Sequence, residues 1–456
     1  MKKYRFLSLI LLFTLALSLV PSSAAPAVPN QEDLDLFCTH AVLLDANHGE
    51  ILYDMRANEK AYPASITKLM TALLVLEAIE YGQLSLSTPV AAGETRMQDV
   101  TYSYVNAELK LGEVLTVEEL LYLVILPSYA DACNVLAVAV DGTIEDFVDH
   151  MNRKASELGC QNTHFTNPVG MHNENHYSTA YDLALILKAC LEYDTYLEIA
   201  KVPKYTLHAT DLSAPREMYN TNALVSTWRY SGYIYDKCIA GKTGNTDEAG
   251  RCLAAAAEDG DEVLISVILG SGPMEVPGDT ELRQGQFRES KRLLEYGFNN
   301  FHRVTITKDS EPVDKVKVTM SRQADEVNVK AQGSITRTLP KSMDVDDIET
   351  RVTLFEDTVE APVEAGQVMG TMTLYYGDEV YGTLDVVAIT SVERSELLYK
   401  KQQFIEFFQN EGVRIILAVV MFLAAIVILK LTVFRRKKRP KAGAAARRGN
   451  YKGTRM

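Results

Sequence analysis

Two apolar segments near the ends of the chain restrict where a water-soluble domain can form. Residues 1–24 begin with Lys2, Lys3 and Arg5, continue as an apolar run and end in small residues, which is typical of a secretory signal peptide. Residues 413–434 form a second apolar stretch that is long enough to cross a bilayer. A retained N-terminal anchor is the alternative for the first segment. In either case the folded part of the chain is expected between them.

A strongly basic tail follows the second apolar segment. Residues 435–456 contain ten Lys and Arg residues and no Asp or Glu. Lys and Arg are enriched on the cytoplasmic side of membrane spans. The sequence therefore predicts a single-pass protein of the cell membrane, with its C-terminus in the cytoplasm and everything before residue 413 outside. The span and tail are expected to contact membrane lipid.

The charge of the exported region argues against a nucleic-acid partner. The whole chain carries a formal net charge of −14 although its tail is basic, so the region before the span is strongly acidic. Binding to nucleic acid requires positive charge that neutralises phosphates. We therefore expect no DNA or RNA partner.

Six cysteines lie in the exported region. An even number of cysteines outside the cytoplasm permits disulfides, but their spacing matches neither a disulfide framework nor a zinc site. Buried free thiols are the alternative, and the sequence leaves the pairing open. The cysteines are Cys38, Cys133, Cys160, Cys190, Cys238 and Cys252.

Apolar periodicity predicts an α+β domain over residues 35–300, with helices segregated from an antiparallel sheet. The predicted elements are a hairpin over His40–Asp54, a helix from about Ser65 to Gly82, helices over Thr116–Leu126, Ala130–Val140 and Asp182–Leu191, paired strands over Arg251–Ala257 and Val263–Leu269, and a helix over Arg288–Asn299.

The pattern changes after residue 303. Residues 304–392 contain short alternating runs separated by Gly, Asp and Pro, which predicts a small all-β domain with a hairpin at Gly377-Asp378. Residues 393–412 are expected to form a helical connector into the span at 413–434. Because residues 304–392 contain no cluster of catalytic residue types, we interpret this domain as a spacer.

The first motif with chemical meaning is Ser65-Ile66-Thr67-Lys68, at the start of the apolar helix. A spacing of three residues places Ser65 and Lys68 on one helix face. Serine is a weak nucleophile unless a neighbouring base takes its proton. Lys68 can act as that base near neutral pH only if its pKa falls from about 10.4 to near 7, which burial and a second cation can cause. Alone, the motif is better interpreted as a surface serine and a lysine whose apolar stem lies along the protein.

Two further motifs carry suitable groups. Lys242-Thr243-Gly244 is followed by Asn245 and by the predicted strand pair. Lys242 offers a positive charge and Thr243 a hydroxyl donor, while Gly244 would let a substrate backbone approach closely. Ser128 follows Pro127 between two predicted helices and could relay a proton. Considered alone, Ser128 is better interpreted as a helix cap.

In this order, the three motifs resemble those of the low-molecular-weight penicillin-binding proteins of the D-alanyl-D-alanine carboxypeptidase family, serine peptidase family S11. The resemblance covers nearly the whole chain and implies a penicillin-binding, β-lactamase-like transpeptidase domain. Longer blocks also resemble the family: PASITKLMTALLVLE (63–77), GEVLTVEELLYLVILPS (112–128), TNPVGMHNENHYSTAYDLALI (166–186), YNTNALV (219–225) and AGKTGNTDEAGRCLAAA (240–256).

The resemblance implies a role for each matching residue. Ser65 would attack the carbonyl of the penultimate D-alanine of a peptidoglycan stem peptide, with Lys68 as the base. Ser128 would pass a proton to the departing D-alanine, and Lys242 and Thr243 would hold the terminal carboxylate. Water would then hydrolyse the acyl-enzyme. β-Lactam antibiotics such as penicillin would acylate the same serine.

The resemblance also implies an oxyanion hole and a substrate-binding strand edge. The backbone N–H groups of Ser65 and Asn245 would receive the developing oxyanion, an arrangement that lowers a barrier by a few kcal/mol. Gly244 would lie beside the substrate. No cofactor or metal is expected, because the spacing of His172 and His176 matches no common zinc pattern.

One residue departs from the family pattern. The second motif of the family is usually S-x-N, but Ala130 occupies the position of the asparagine. Asn134 lies one helical turn later and is the nearest residue that could replace its amide. We therefore expect a slower or differently selective enzyme.

The sequence is also compatible with three alternative functions. A class A β-lactamase would need a deacylating glutamate, and no convincing E-x-x-L-N stretch lies between Ser128 and Lys242. A D,D-endopeptidase would cut cross-links with the same residues. A low-activity or non-catalytic penicillin-binding wall protein is the third alternative, because Ala130 replaces the expected asparagine.

Overall fold

The computed structural model describes residues 34–100, 104–276, 279, 281–307, 309, 311–377 and 379–435. The predicted signal peptide and, apart from Arg435, the basic tail lie outside these residues. The described chain forms two compact units. The first runs to Ile306 and includes Ile335–Ile348, whereas the second contains Thr307–Ser334 and continues from Glu349.

The first unit is built on a five-stranded sheet of order β2-β1-β9-β8-β7. Every neighbouring pair in it is antiparallel. The predicted N-terminal hairpin and the predicted strand pair both lie in this sheet and are confirmed. Its strands are β1 (His40–Asp45), β2 (Ile51–Met55), β7 (Cys238–Thr246), β8 (Gly250–Asp259) and β9 (Glu262–Ser271).

Helices and short ribbons complete the first unit. Its described α-helices are α1 (Lys68–Glu80), α2 (Val117–Ile125), α3 (Ala130–Asp141), α4 (Ile144–Glu157), α5 (Ala180–Leu191), α6 (Asp194–Ala200) and α7 (Gly285–Asn300). The ribbons pair β3 (Pro89–Ala91) with β4 (Val114–Thr116), β5 (Lys204–Leu207) with β6 (Arg216–Tyr219), and β10 (Pro273–Met274) with β11 (Arg283–Gln284).

Both faces of the sheet are covered, which explains the unbroken apolar run on β8. Cys252, Ala254 and Ala256 lie in the core that includes the side chains of α1. Leu253 and Ala255 lie in the core on the other face, together with residues of α7. A strand buried on both faces has no polar side, so its sequence shows no alternation.

Helix α1 is surrounded by protein. Ten of its thirteen residues are buried, and its apolar residues are distributed over all sides, as is typical of such helices. Burying each leucine side chain contributes about 1.5–3 kcal/mol. Lys68 is the first residue of this helix, so an ionisable amine is placed inside an apolar core.

The segment Ile335–Ile348 joins the first unit through strand pairing and two polar contacts. Strand β15 (Thr336–Pro340) pairs antiparallel with β12 (Phe301–Thr305). The Thr338 hydroxyl donates to Asp45 Oδ2 at 2.6 Å, and its backbone N–H donates to Glu50 Oε2 at 2.8 Å. Ile335–Ile348 falls within the predicted all-β domain (304–392), but these residues belong to the first unit.

The second unit contains a six-stranded sheet of order β16-β18-β19-β14-β13-β17, and the predicted all-β character of this region is confirmed. Strands β18 and β19 pair antiparallel across the predicted turn at Gly377, while Asp378 lies outside the described residues. The strands are β13 (Pro312–Thr319), β14 (Glu326–Ala331), β16 (Glu349–Leu354), β17 (Thr358–Glu360), β18 (Val368–Tyr376) and β19 (Glu379–Ala388).

Two helices follow the second sheet. Helix α8 (Glu396–Gln409) occupies the predicted connector, and α9 (Glu411–Arg435) contains the predicted span. Within α9, Glu411–Val433 has a mean hydropathy of 2.9 and is long and apolar enough to cross a membrane. This helix is therefore a candidate membrane anchor.

Candidate active site

Ser65 lies on a tight turn that brings its side chain against Lys68. Residues Ala64–Thr67 form a 3-10 helix and α1 begins only at Lys68, so the predicted start of the α-helix at Ser65 was too early. In a 3-10 turn, side chains three residues apart eclipse each other. Lys68 Nζ accordingly lies 2.9 Å from Ser65 Oγ.

The environment of Lys68 favours a neutral amine. Its side chain is buried, and Nζ also donates to the carbonyl oxygen of Val169 at 2.6 Å. Burial removes water from the ammonium and lowers the pKa of Lys68 below its ordinary value. An amine with a lowered pKa can accept the proton of an adjacent hydroxyl.

The loop that supplies the Val169 carbonyl is shaped by Asn167. Its side-chain Oδ1 accepts the backbone N–H groups of Val169, Gly170 and Met171 at 3.2, 2.8 and 2.9 Å. Gly170 has φ +80°, and a Cβ atom there would lie 2.0 Å from the Ala64 carbonyl oxygen. Only glycine therefore allows this loop to lie against the turn that carries Ser65.

His176 joins the same loop to that turn. Its ring Nδ1 accepts the backbone N–H of Thr166 at 3.1 Å, so Nε2 carries the proton and donates to Thr67 Oγ1 at 2.8 Å. Burial lowers the pKa of His176 to about 3, and the ring is neutral at physiological pH. Because both ring nitrogens have protein partners, this histidine is a structural link.

Ser128 does not cap a helix, contrary to its interpretation as an isolated residue. The residue before α3 is Tyr129, and no side chain caps this helix. Ser128 instead has φ +70° and accepts a hydrogen bond from Lys242 Nζ at 2.8 Å. Backbone strain at a non-glycine residue is found most often where function requires a particular side-chain direction.

Lys242 is buried in β7 beneath the surface. Besides Ser128 Oγ, its Nζ contacts the Thr243 carbonyl oxygen at 3.0 Å. Burial, together with the nearby charge of Lys68, holds the pKa of Lys242 well below its ordinary value. Two buried ammonium groups this close to each other are unfavourable, so the pair is stabilised when one amine is neutral.

The predicted residues converge on one open cavity of about 660 Å³. Ser65, Ser128, Thr243, Gly244 and Asn245 line it. The two buried lysines donate hydrogen bonds to the two serines that line it. This arrangement can activate the Ser65 hydroxyl as a nucleophile. The Ser128 hydroxyl can donate a proton to a group bound in the same cavity.

Gly244 has a packing role that the sequence did not indicate. A Cβ atom at this position would lie 2.8 Å from the Pro63 carbonyl oxygen and 3.2 Å from Ile66 Cγ1. The glycine therefore lets β7 lie directly against the turn that carries Ser65. This contact fixes the distance between the two sides of the cavity.

The chain is similar to known proteins over most of its length. A family model described as D-alanyl-D-alanine carboxypeptidase matches residues 26–272, more than half of the chain. A second model, the C-terminal domain of penicillin-binding protein 5, matches residues 301–394. The D-alanyl-D-alanine carboxypeptidase DacF of Bacillus subtilis (strain 168) is 31% identical over 409 residues, which cover 89% of this chain and 97% of the relative.

The chain belongs to the D-alanyl-D-alanine carboxypeptidase family. A second relative, DacC of Escherichia coli (strain K12), is 30% identical over 368 residues, which cover 80% of this chain and 86% of the relative. Among solved structures, penicillin-binding protein 5 from Haemophilus influenzae has a TM-score of 0.64 at 27% identity, covering 81% of this chain and 100% of that one. Membership in this family makes the protein a hydrolase of the carboxypeptidase class, and the resemblance inferred from the motifs is confirmed.

Ala130 occupies the position at which the resemblance to the family implies an asparagine. Ala130 is fully buried, so no polar side chain enters the site from it. The amide nitrogen of Asn134 donates to the carbonyl oxygens of Arg96 and Gln98 at 3.1 and 2.8 Å. Because these contacts occupy its Nδ2 donors, Asn134 does not replace the missing side chain.

Several groups that support the site were not identified from the sequence. The buried carboxylate of Asp131 accepts the backbone N–H groups of Ala107 and Leu109 at 2.9 and 3.0 Å. It thereby holds the preceding loop, where Tyr104 lines the cavity. Asp131 follows Ser128 in the chain, and Asn167 lies in the family-like block 166–186. Only the folded chain shows which backbone N–H groups their side chains bind.

Proposed function

We propose that this protein is a serine-type D-Ala-D-Ala carboxypeptidase that removes the terminal D-alanine from peptidoglycan stem peptides. The supporting observation is the 2.9 Å contact between Lys68 Nζ and Ser65 Oγ, in which a buried amine faces a hydroxyl that lines the cavity. Membership in the D-alanyl-D-alanine carboxypeptidase family supports peptides that end in D-alanyl-D-alanine as the substrate class.

Acylation begins with transfer of the Ser65 proton to neutral Lys68. A neutral amine has two N–H groups and one lone pair, and the Val169 carbonyl can only accept, so it takes one N–H. The lone pair is then free to accept the proton of Ser65. Ser65 Oγ attacks the carbonyl of the penultimate D-alanine, and the backbone N–H groups of Ser65 and Asn245 receive the oxyanion.

The leaving group requires a proton before the peptide bond can break. Ser128 donates its hydroxyl proton to the D-alanine nitrogen and recovers one from Lys242 Nζ, 2.8 Å away. Breaking the C–N bond releases D-alanine and leaves the acyl-enzyme. Water then attacks the ester carbonyl and passes one proton through Ser128 to Lys242, which acylation left neutral. Ser65 leaves as the acyl–oxygen bond breaks and regains its proton from Lys68, so both lysines return to their starting states.

Two measurements on the full-length protein in detergent test this proposal. D-Alanine release from diacetyl-Lys-D-Ala-D-Ala and labelling by a fluorescent penicillin are both expected. Labelling without release would favour the non-catalytic penicillin-binding alternative, which Ala130 motivates. Absence of both would contradict the proposal. Cleavage of cross-linked dimers in preference to the free pentapeptide would favour an endopeptidase.

We propose that Ala130 slows acylation, because the site lacks an amide that could hydrogen-bond the substrate. Replacing Ala130 by asparagine is expected to raise the acylation rate constant about 3- to 10-fold, since a single neutral hydrogen bond contributes about 0.5–1.5 kcal/mol. Stopped-flow measurement with a chromogenic cephalosporin provides the rate. Ala132→Asn, two residues along the same buried helix segment, is the control for overpacking. An unchanged or reduced rate in a folded Ala130→Asn variant would show that the alanine at this position does not limit acylation.

We propose that α9 anchors the enzyme as a single-pass span with both compact units outside the cell. The apolar stretch Glu411–Val433 and the basic residues that follow it support this orientation. The full chain is expected to remain in the membrane fraction after alkaline carbonate extraction, and a chain that ends before Glu411 is expected to be released. Extraction of both forms alike would contradict anchoring by this helix.

A further inference from the structure

The groups expected to hold the substrate carboxylate are already engaged within the protein. Lys242 is 2% exposed, and its Nζ donates to Ser128 Oγ and contacts the Thr243 carbonyl oxygen. These two contacts occupy two of its N–H donors. A second cation beside the cavity would bind a carboxylate without competing with these contacts.

The Thr243 hydroxyl is also committed to a protein partner. The Thr221 hydroxyl donates to the Leu126 carbonyl oxygen at 3.1 Å. Thr221 Oγ1 lies 2.7 Å from Thr243 Oγ1, so in this pair the Thr243 hydroxyl is the donor. To bind a carboxylate, Thr243 would first have to break this contact.

Arg251 differs from both residues, because it lines the cavity and has an unused donor. It lies on β8, directly opposite Asn245 of β7. Its Nη1 atom is buried and, among the described residues, has no hydrogen-bond partner. A buried guanidinium nitrogen without a partner is unfavourable, and a ligand acceptor would relieve this cost.

We infer that the guanidinium of Arg251 binds the C-terminal carboxylate of the peptide substrate. The inference rests on the proposed function and assigns the carboxylate to a residue outside the three motifs. A planar guanidinium can form two parallel hydrogen bonds to a carboxylate, which a lysine cannot. With its carboxylate held opposite Asn245, the substrate would present its penultimate carbonyl to Ser65, which lines the same cavity.

The other charged groups that line the cavity are less suitable. Arg229 is exposed, and its guanidinium lies over the ring of Tyr230 at 5.7 Å, so water already solvates its charge. Asp247 and Glu248 are acidic and would repel a carboxylate. Arg251 is thus the one cation among the described cavity residues that has both a buried donor and no partner.

The test compares a free acid with its amide in the full-length enzyme. The substrates are diacetyl-Lys-D-Ala-D-Ala and the same peptide with a C-terminal carboxamide. Arg251→Gln is expected to lower kcat/KM for the acid about 10- to 100-fold, because a hydrogen bond to a charged group contributes about 1.5–3 kcal/mol. The value for the amide is expected to remain unchanged. Arg251→Lys is expected to restore part of the preference for the acid.

Arg229→Gln is the matched control, since it removes the other arginine that lines the cavity. It is expected to retain the full preference for the acid. The inference would be overturned if Arg251→Gln lowered activity on both substrates equally, if Arg229→Gln removed the preference instead, or if the unmodified enzyme showed none. Circular dichroism establishes that each variant is folded.

A binding measurement separates this inference from the proposed function. In a Ser65→Ala background, calorimetric titration with the acid peptide is expected to give a dissociation constant about 10- to 100-fold larger once Arg251 is glutamine. The amide should bind equally to both proteins. If the unmodified chain released no D-alanine but this difference held, the proposed function would fail and the carboxylate assignment would stand. Equal binding would refute the assignment.

Discussion

Replacing Ser65 by alanine is expected to lower D-alanine release by at least about 10⁴-fold and to abolish covalent labelling by penicillin. Removing the nucleophile of a serine acyl-enzyme eliminates the covalent route, and losses up to about 10⁶-fold are known for such substitutions. The fold should be preserved, because Lys68 Nζ keeps its contact with the Val169 carbonyl. Release assays and labelling of the purified variant provide the measurement.

Ser87→Ala is the matched control for this substitution. Ser87 is exposed on the first unit and contacts only the exposed Ser85 hydroxyl among the hydrogen bonds described. Its replacement should leave release and labelling unchanged. Substantial D-alanine release by a folded Ser65→Ala variant would mean that another group carries the acyl chain, or that water attacks the peptide directly.

The second large effect is expected from Lys68→Met, which keeps the buried methylene volume and removes the amine. General-base catalysis contributes about 10²- to 10⁴-fold, and the acylation rate should fall by this factor. Stability should change little or increase, because a buried amine is costly to desolvate. Acylation by penicillin, followed by stopped-flow, measures the rate, and thermal unfolding measures the stability.

The pH dependence of acylation distinguishes a base from a merely structural lysine. Burial lowers the pKa of Lys68, and only the neutral amine can accept the Ser65 proton. The acylation rate should therefore rise with pH through this lowered pKa and level off below about 10.4, the ordinary value for lysine. Lys68→Met should lack this rise. A variant that keeps both the rate and the profile would exclude Lys68 as the base.

Much of the fold could be predicted because its signals are local. The hairpin at Asn47–Gly49, the turn at Asp259–Asp261 and the apolar period after Ser65 each depend on neighbouring residues only. The inclusion of Ile335–Ile348 in the first unit could not be predicted from neighbouring residues. Strand β15 pairs with β12, and Thr338 bonds to Asp45, nearly 300 residues away in sequence.

The site shows the same distinction between local and distant contacts. Ser65 and Lys68 are three residues apart, so their contact follows from helical geometry. Ser128 considered alone is better interpreted as a helix cap, because its partner Lys242 is 114 residues away; only the resemblance to the family implies its role as a proton relay. Arg251 carries no motif signal, since its significance depends on an unpaired atom in a cavity that only the folded chain forms.

A covalent bond between Ser65 and the substrate carbonyl is the central step of the proposed mechanism. Peptide mapping by mass spectrometry after penicillin treatment and tryptic digestion tests it, because cleavage after Lys60 and Lys68 isolates residues 61–68. We predict that the penicilloyl group lies on this peptide and that fragmentation assigns it to Ser65. An adduct on the peptide that carries Ser128, or on no peptide at all, would contradict the assignment of Ser65 as the nucleophile.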